Sequence, residues 1–251
     1  MRGLVLAAGR GARLATHTTD RPKCLIDVGG RSLLDRQIDA LRSCGADPVA
    51  VVGGWRHRSL EAPGRIVFVN RQWADTTMVS SLLCAAEWLA EDETMVSYGD
   101  ILFSRAAAAA LSNVAAALAI AFDPEWQDLW SLRFEDPLSD AETFAVDDDG
   151  LVIDIGDRPS SIEQVRGQYM GLLRFTPAGW ADLRRCLDRL PEEARLKVDM
   201  TALFRTSIRD HGLAVTGVPV PGPWCEFDSP RDLEVGTPVA RHLDRVDRGV
   251  V

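Results

Sequence analysis

The sequence predicts an α/β fold: a doubly wound, Rossmann-like and mostly parallel sheet, mixed at its margins, with helices on both faces. Three observations carry this. Short apolar, β-branched runs recur along the first half, stretches of helical periodicity separate them, and the first run enters a glycine-rich loop at once. Arg2 to Ala7 reads as a short buried strand. Ser32 then stands as a helix N-cap with Asp35 three residues on, and Leu33, Leu34, Ile38 and Leu41 form an apolar stripe ending at Gly45. Pro48 to Val52 and Ile66 to Val69 have the composition of buried parallel strands. Trp55 to Leu60 lies between them. Met78 to Leu89 repeats with helical period, and Thr94 to Tyr98 is a strand ending in Gly99-Asp100. Ala106 to Leu111 is helical by propensity and Ala117 to Phe122 strand-like.

Beyond Phe122 the texture changes. Glu142 to Val146 and Val152 to Ile155 flank Asp147-Asp148-Asp149-Gly150 as a hairpin. Tyr169 to Phe175 is a further strand, with helices over Pro177 to Leu190 and Asp199 to His211. Ala214 to Val220 reads as a late strand, and Ser229-Pro230 opens a terminal helix with proline in its first turn. No linker, low-complexity tract or repeat interrupts the chain. We therefore read residues 1–251 as a single domain: a ligand-binding core over 1–122, a smaller β/α lobe over 123–228, and a C-terminal helix over 229–251. Doubly wound sheets bind ligands beyond the carboxyl ends of their strands. That rule gathers the loop after Ala7, the segment after Val69 and Asp100 at one rim.

Composition narrows the function. The chain has 251 residues, 46% hydrophobic and 26% charged, with a formal net charge of −9. It is too apolar for disorder, and its acidity argues against a nucleic-acid partner, which needs a basic face. No apolar run reaches the roughly 18 residues of a membrane span, and the patch after Arg2 is too short for a signal-peptide core. The five cysteines are scattered without a Cys-x-x-Cys pair, so a reduced, cytoplasmic protein is expected. The four histidines show no metal or triad spacing.

Chemistry concentrates in Leu6-Ala7-Ala8-Gly9-Arg10-Gly11-Ala12-Arg13-Leu14, followed by Arg21-Pro22-Lys23-Cys24-Leu25. Two glycines just past a strand let backbone amides approach phosphate oxygens, Arg13 can clamp them, and Lys23 adds a mobile point charge. The Walker pattern is absent, and Leu14 stands where a dinucleotide fingerprint has its third glycine. Together these two segments resemble the nucleotidyltransferases that activate sugar phosphates and small headgroup phosphates. The resemblance implies that the backbone of Ala7, Ala8, Gly9 and Gly11 wraps a nucleoside triphosphate. It places Arg13 on the β- and γ-phosphates and Lys23 at the α-phosphate, as the catalytic pair.

Asp100 follows a strand and a glycine, and Trp224-Cys225-Glu226-Phe227-Asp228 puts Glu226 and Asp228 on one face of an extended segment. Mg²⁺ takes a few carboxylates with phosphate oxygens and waters, so Asp100 and Asp228 with Glu226 make a sensible site; a helix cap for Asp228 and a turn for Asp100 are the plainer roles. The late Glu-x-Asp-Ser run resembles the cytidylyltransferases that handle phosphocholine or phosphonates, in which a strand-end aspartate and such a pair bind magnesium. Similarity continues through Pro137 to Phe144, Gly167 to Gly171 and Asp199 to Thr201. Asn70, Ser80 and the Ala8 backbone are candidates to read the base, although Thr76 or Thr77 near them can simply cap a helix. Trp130, Tyr169, Met170 and Lys197 are candidates for the acceptor, among the wider set Trp126, Trp224, Arg133 and Arg158. An aromatic cage would suit choline and a basic side chain a carboxylated phosphonate, and the residues leave that choice open. Asp140 and Glu142 could meet an amine on the acceptor, with an acidic hairpin face as their plainer role.

The expected activity is cytidylyl transfer from CTP to a small phosphorylated or phosphonate acceptor, with Mg²⁺ as cofactor and pyrophosphate released. A homodimer is an expected assembly. The alternatives are transfer to a sugar 1-phosphate from UTP, dTTP or GTP, and a non-catalytic nucleotide-sensing domain. An oxidoreductase is disfavoured by the defective glycine fingerprint.

Overall fold

A computed structural model of the chain describes residues 1–220 and 222–247. Eleven strands and nine α-helices alternate along them. The first half contributes β1 (Arg2–Ala7), α1 (Leu33–Ser43), β2 (Val49–Gly53), β3 (Ile66–Val69), α2 (Met78–Leu83), α3 (Ala86–Glu91), β4 (Thr94–Tyr98), β5 (Ile101–Phe103), α4 (Arg105–Ser112) and β6 (Leu118–Asp123). The second half contributes α5 (Trp126–Arg133), β7 (Phe144–Val146), β8 (Val152–Ile155), β9 (Gln168–Phe175), α6 (Pro177–Asp188), α7 (Glu192–Lys197), α8 (Met200–His211), β10 (Thr216–Pro219), β11 (Trp224–Glu226) and α9 (Pro230–Asp247). Residues 248–251, expected in the terminal helix, lie outside the described residues.

The main sheet has seven strands in the order β10-β6-β9-β4-β1-β2-β3. All pairs are parallel except those made by β9, which runs antiparallel between β4 and β6. The sheet is therefore mixed and mostly parallel. Strand alternation decides its two faces. Val5 and Ala7 of β1 join Val49 and Val51 under α1, α4 and α5, where Leu34, Leu41, Leu111 and Trp126 are buried. Leu4 and Leu6 point the other way with Ala50 and Val52, under Leu82, Leu89, Leu183 and Leu203. A division of the chain at residue 122 does not divide this sheet, because β9 and β10 come from the second half and complete it.

Local chemistry accounts for the helix starts. Ser32 caps α1 by accepting from the Asp35 amide at 3.1 Å, and Ser104, Thr176 and Asp199 cap α4, α6 and α8 in the same way. Two expectations are corrected. Met78 to Leu89 is two helices, broken where Ala85 leaves helical backbone (φ −112°, ψ 25°), so that Leu82 and Leu89 both reach the core. Trp55 to Leu60, for which the sequence predicts no element, holds the 3-10 turn His57–Leu60. Ile66 to Val69 is the edge strand and not a buried one, with Ile66 exposed. The helices α5 and α7, and the three-residue strand β5, had no clear periodic signal and were not anticipated.

Among the described residues, no helix is long and apolar enough to cross a membrane. The five cysteines are free. A third apolar cluster, with Leu14, Ile26, Val28, Leu33, Leu102, Cys225, Phe227, Ala240 and Leu243, binds α9 to the loop that follows β1. That contact matters for the site, because β11 and α9 carry its late acidic residues.

Candidate active site

The glycine-rich loop leaves β1 and turns at Gly11, whose φ of 69° is left-handed. A Cβ at Gly11 would also stand 2.9 Å from the Lys23 Cβ, so glycine is required there twice over. Gly9 differs: nothing lies within 4 Å of where its Cβ would be, and its φ is not positive. The fold itself places no demand for glycine at that position. Behind the loop, Pro22 leads into a short 3-10 turn that buries the Lys23 side chain and aims its Nζ at two carboxylates.

Those carboxylates come from distant parts of the chain. Asp100 follows β4, and β5 immediately after it pairs antiparallel with β11, placing Ile101 opposite Glu226. The Phe227 amide then donates to the Asp100 carbonyl at 2.9 Å. This small ladder brings Asp100, Glu226 and Asp228 together, with one ligand atom from each within 4.8 Å of the others. Lys23 Nζ donates to Asp100 Oδ2 at 2.8 Å and to Asp228 Oδ1 at shorter range, and Arg13 reaches Asp228 Oδ2 at 2.8 Å. Burial works against the Lys23 ammonium, but the two carboxylates outweigh it and raise its pKa above the ordinary 10.5.

The capping role considered for Asp228 belongs to Asp232. Its Oδ2 accepts from the Asp228 and Ser229 amides, both at 2.8 Å, and from the Ser229 hydroxyl at 3.0 Å. The Asp228 carboxylate is thereby left to face the site. Arg133, with a wholly buried side chain, joins Asp232 at 2.8 Å and Glu226 at 3.2 Å and stacks over the Trp130 ring.

The acidic triad suits a divalent cation on two counts. Asp100 Oδ1 is buried and meets no hydrogen-bond donor. Glu226 is pushed up to about 8 by burial and by the neighbouring charges of Asp100 and Asp228, only partly offset by Arg133 and Lys23. Three carboxylates in one place, one of them resisting ionisation, are the donor set that a hard cation stabilises.

Two cavities of about 330 Å³ each adjoin this cluster. Ala7, Gly9, Gly11, Arg13, Lys23 and Asp100 line the first, with Asp228. Trp130, Tyr169, Met170, Trp224 and Glu226 line the second, also with Asp228. Met78 and Asp228 are common to both. Several sequence candidates stand elsewhere. Ala8 is buried and its carbonyl accepts from the Trp55 amide, outside both linings. Asn70 braces its own loop, donating to Thr76 and Ser81 and accepting from the Gln72 amide. The Ser80 hydroxyl is buried without a partner and also outside both linings. Lys197 is exposed on α7, its Nζ donating to the Asp75 carbonyl at 2.8 Å and absent from the second cavity. Met78 and Tyr98, which carry no sequence signal, line these cavities, and Arg133, expected to be available to an acceptor, is held by Asp232 and Glu226. No spacing rule marks such residues, since their roles depend on which strands pair.

The sheet brings the glycine-rich loop, the buried Lys23 and the acidic triad to one rim, and similarity to known proteins gives the class, a nucleotidyltransferase. The chain belongs to the MobA-like NTP transferase domain family, which it matches over residues 3–197. It is 31% identical to the CTP:phosphoglutamine cytidylyltransferase of Campylobacter jejuni, over 94% of this chain and 98% of that one. The inositol-1-phosphate CTP transferase of T. maritima superposes with a TM-score of 0.79 at 20% identity, covering 100% of this chain and 97% of that one. The CTP:phosphocholine cytidylyltransferase of Streptococcus pneumoniae does so with a TM-score of 0.70 at 20% identity, covering 95% and 98%. At those identities the structural likenesses speak for the fold.

Proposed function

We propose that the protein transfers the cytidylyl group of CTP to a small phosphorylated or phosphonate acceptor and releases pyrophosphate. The observation that carries this reading is the meeting of two cavities at Asp228, one beside the glycine loop and one beside the aromatic residues of β9 and α5. An acceptor oxygen attacks the α-phosphorus of CTP. The new P–O bond forms as the bond to the bridging β-phosphate oxygen breaks, and its electron pair leaves with pyrophosphate. The acceptor oxygen is already anionic near neutral pH, so no side chain has to remove a proton from it.

The chain's work is then to align two anions and neutralise charge. Backbone amides of the Gly9 to Gly11 turn approach the triphosphate, Lys23 faces the α-phosphate, and exposed Arg13 swings from Asp228 to the departing phosphates. Asp100 and Asp228, with Glu226 beside them, would hold Mg²⁺, which when bound supplies charge neutralisation at phosphate oxygens. Relatives named for CTP favour that nucleotide, and the free cysteines fit a cytoplasmic enzyme. The test is pyrophosphate release from CTP, UTP, dTTP and GTP against phosphonates, choline phosphate, phosphoglutamine and sugar 1-phosphates. Turnover with CTP and one of the small acceptors is expected. Turnover confined to UTP, dTTP or GTP with a sugar 1-phosphate would replace this reading, and none with any pair would remove it.

A further inference from the structure

Resting on that reading, we infer that the acceptor carries an ammonium group as well as its phosphoryl or phosphonyl group, and that Glu142 and Asp199 bind it. Among the described residues, the acceptor cavity is lined by five carboxylates, those of Asp140, Glu142, Asp199, Glu226 and Asp228, and by no lysine, arginine or histidine. Glu226 and Asp228 belong to the triad. The others have no counter-charge inside the cavity. Thr201 Oγ1 lies 3.2 Å from both Glu142 Oε1 and Asp199 Oδ1, and its single proton can serve only one of them at a time. The nearby cations are already paired: Arg205 with Gly156 and Asp157, Lys197 with the Asp75 carbonyl, and Arg133 with Asp232 and with Glu226 of the triad. A primary ammonium offers three donors and a positive charge to this deficit.

The remaining wall suits the rest of such a molecule. Tyr98 and Tyr169 meet edge to face, with centroids 5.7 Å apart, and present apolar surface for a short carbon chain. Gly171 keeps the Tyr98 ring in place, because its φ is 75° and a Cβ there would stand 2.8 Å from that ring. Trp130 is 3% exposed and lines the same cavity, and its Nε1–H meets no acceptor, so a buried donor is left for a phosphoryl oxygen. A sugar phosphate or a carboxylated acceptor would bring negative or neutral groups against unneutralised carboxylates, whereas a zwitterion matches both kinds of group.

The experiment compares acceptors that differ in the cation alone, with CTP: 2-aminoethylphosphonate against n-propylphosphonate, and choline phosphate against 3,3-dimethylbutyl phosphate. Glucose 1-phosphate serves as the uncharged-tail control. At least one ammonium member is expected to exceed its isostere in kcat/KM by about 100-fold or more; the first pair reports a primary and the second a quaternary ammonium. Glu142→Gln and Asp199→Asn should each raise the acceptor KM at least about 10-fold, leave the CTP KM unchanged, and narrow the gap to the isostere. Asparagine caps helices as well as aspartate does, so the second variant keeps α8 if the first fails to fold. Equal turnover of ammonium acceptors and isosteres, faster turnover of glucose 1-phosphate, or an unchanged acceptor KM in the folded variants overturns the inference while nucleotidyl transfer stands. Absence of pyrophosphate with every acceptor removes the transfer reading, and this inference with it.

Discussion

Lys23 joins the strand-end Asp100 to the late Asp228. Its ammonium is buried, bonded to Asp100 and Asp228, and on the wall of the loop-side cavity. A group held this way needs no reorganisation when charge develops at phosphorus. Lys23→Ala should lower kcat by about 100- to 1000-fold while far-UV circular dichroism stays that of the wild type. Near-normal turnover would take the lysine out of the chemistry. Gly9 offers a cleaner residue-level test, since open space surrounds the position of its missing Cβ. Gly9→Ala should leave the thermal midpoint within a degree or two of the wild type, in line with the small effect of surface substitutions of about 0.5 kcal/mol or less. It should nevertheless raise the CTP KM, because the methyl group occupies the approach to the backbone amides. An unchanged KM would mean that Gly9 is only a turn residue.

Among the elements, β5 and β11 decide most with the least chain. Three residue pairs bring Asp100 alongside Glu226 and Asp228, and α9 is locked beneath them by Phe227 and by the Asp232 cap. The buried Arg133–Asp232 pair ties α5 to this unit. Arg133→Met would leave two carboxylates uncompensated and should cost about 3–5 kcal/mol in urea unfolding, the scale of a broken buried pair. Burial alone would raise the Asp232 pKa, but the Arg133 bond and charge, with the two amide donors, hold it below the ordinary 3.8. The folded carboxyl is thus the stronger acid. Its stabilisation is complete above the unfolded value and is lost as the pH falls through the folded one. Acid titration should show wild-type stability falling more steeply than that of Asp232→Asn below about pH 4. Parallel acid limbs would deny the pair this role.

For the whole molecule, the formal charge of −9 describes the surface and says little about the loop-side cavity, where Arg13 and Lys23 gather. Part of the acidity is the triad itself. A cation bound there ties the sheet rim to β11, so it should stabilise the fold by about 2.7 kcal/mol at a hundred times its dissociation constant. Magnesium should raise the melting temperature of the wild type and leave that of Asp228→Asn unmoved. An equal shift in both would place the ion elsewhere.

The parts readable from the sequence were those whose physics is local. Glycines after a strand, an N-cap before a periodic stripe and a proline-lysine turn each act within a few residues, and they marked Gly9, Gly11, Arg13, Ser32 and Lys23. Asp100 was legible because ligands gather at strand ends. Other positions depended on neighbours far along the chain. Arg133 reads as an available cation until α5 folds it against Asp232, and Lys197 reads the same way until α7 turns it to Asp75. Asn70 has the polarity of a base-reading residue, yet its three bonds hold its own loop. The three-residue strand β5 is too short for any period to show, and the alternation that marks Trp224 to Asp228 as extended does not name β5 as its partner.

By itself, then, the sequence determined the class of fold and the place of the glycine-rich loop, since both follow from periodicity and from backbone freedom at fixed offsets. Only the tertiary structure decided that Asp100 and Asp228 share Lys23, that the Asp232 carboxylate takes the Asp228 and Ser229 amides, and that, among the described residues, the cavity beside β9 and α5 is lined by carboxylates without a basic side chain. The Lys23 contacts bridge 77 and 205 residues and so depend on which strands pair, and burial there gives a side chain its partners, its charge state and its use.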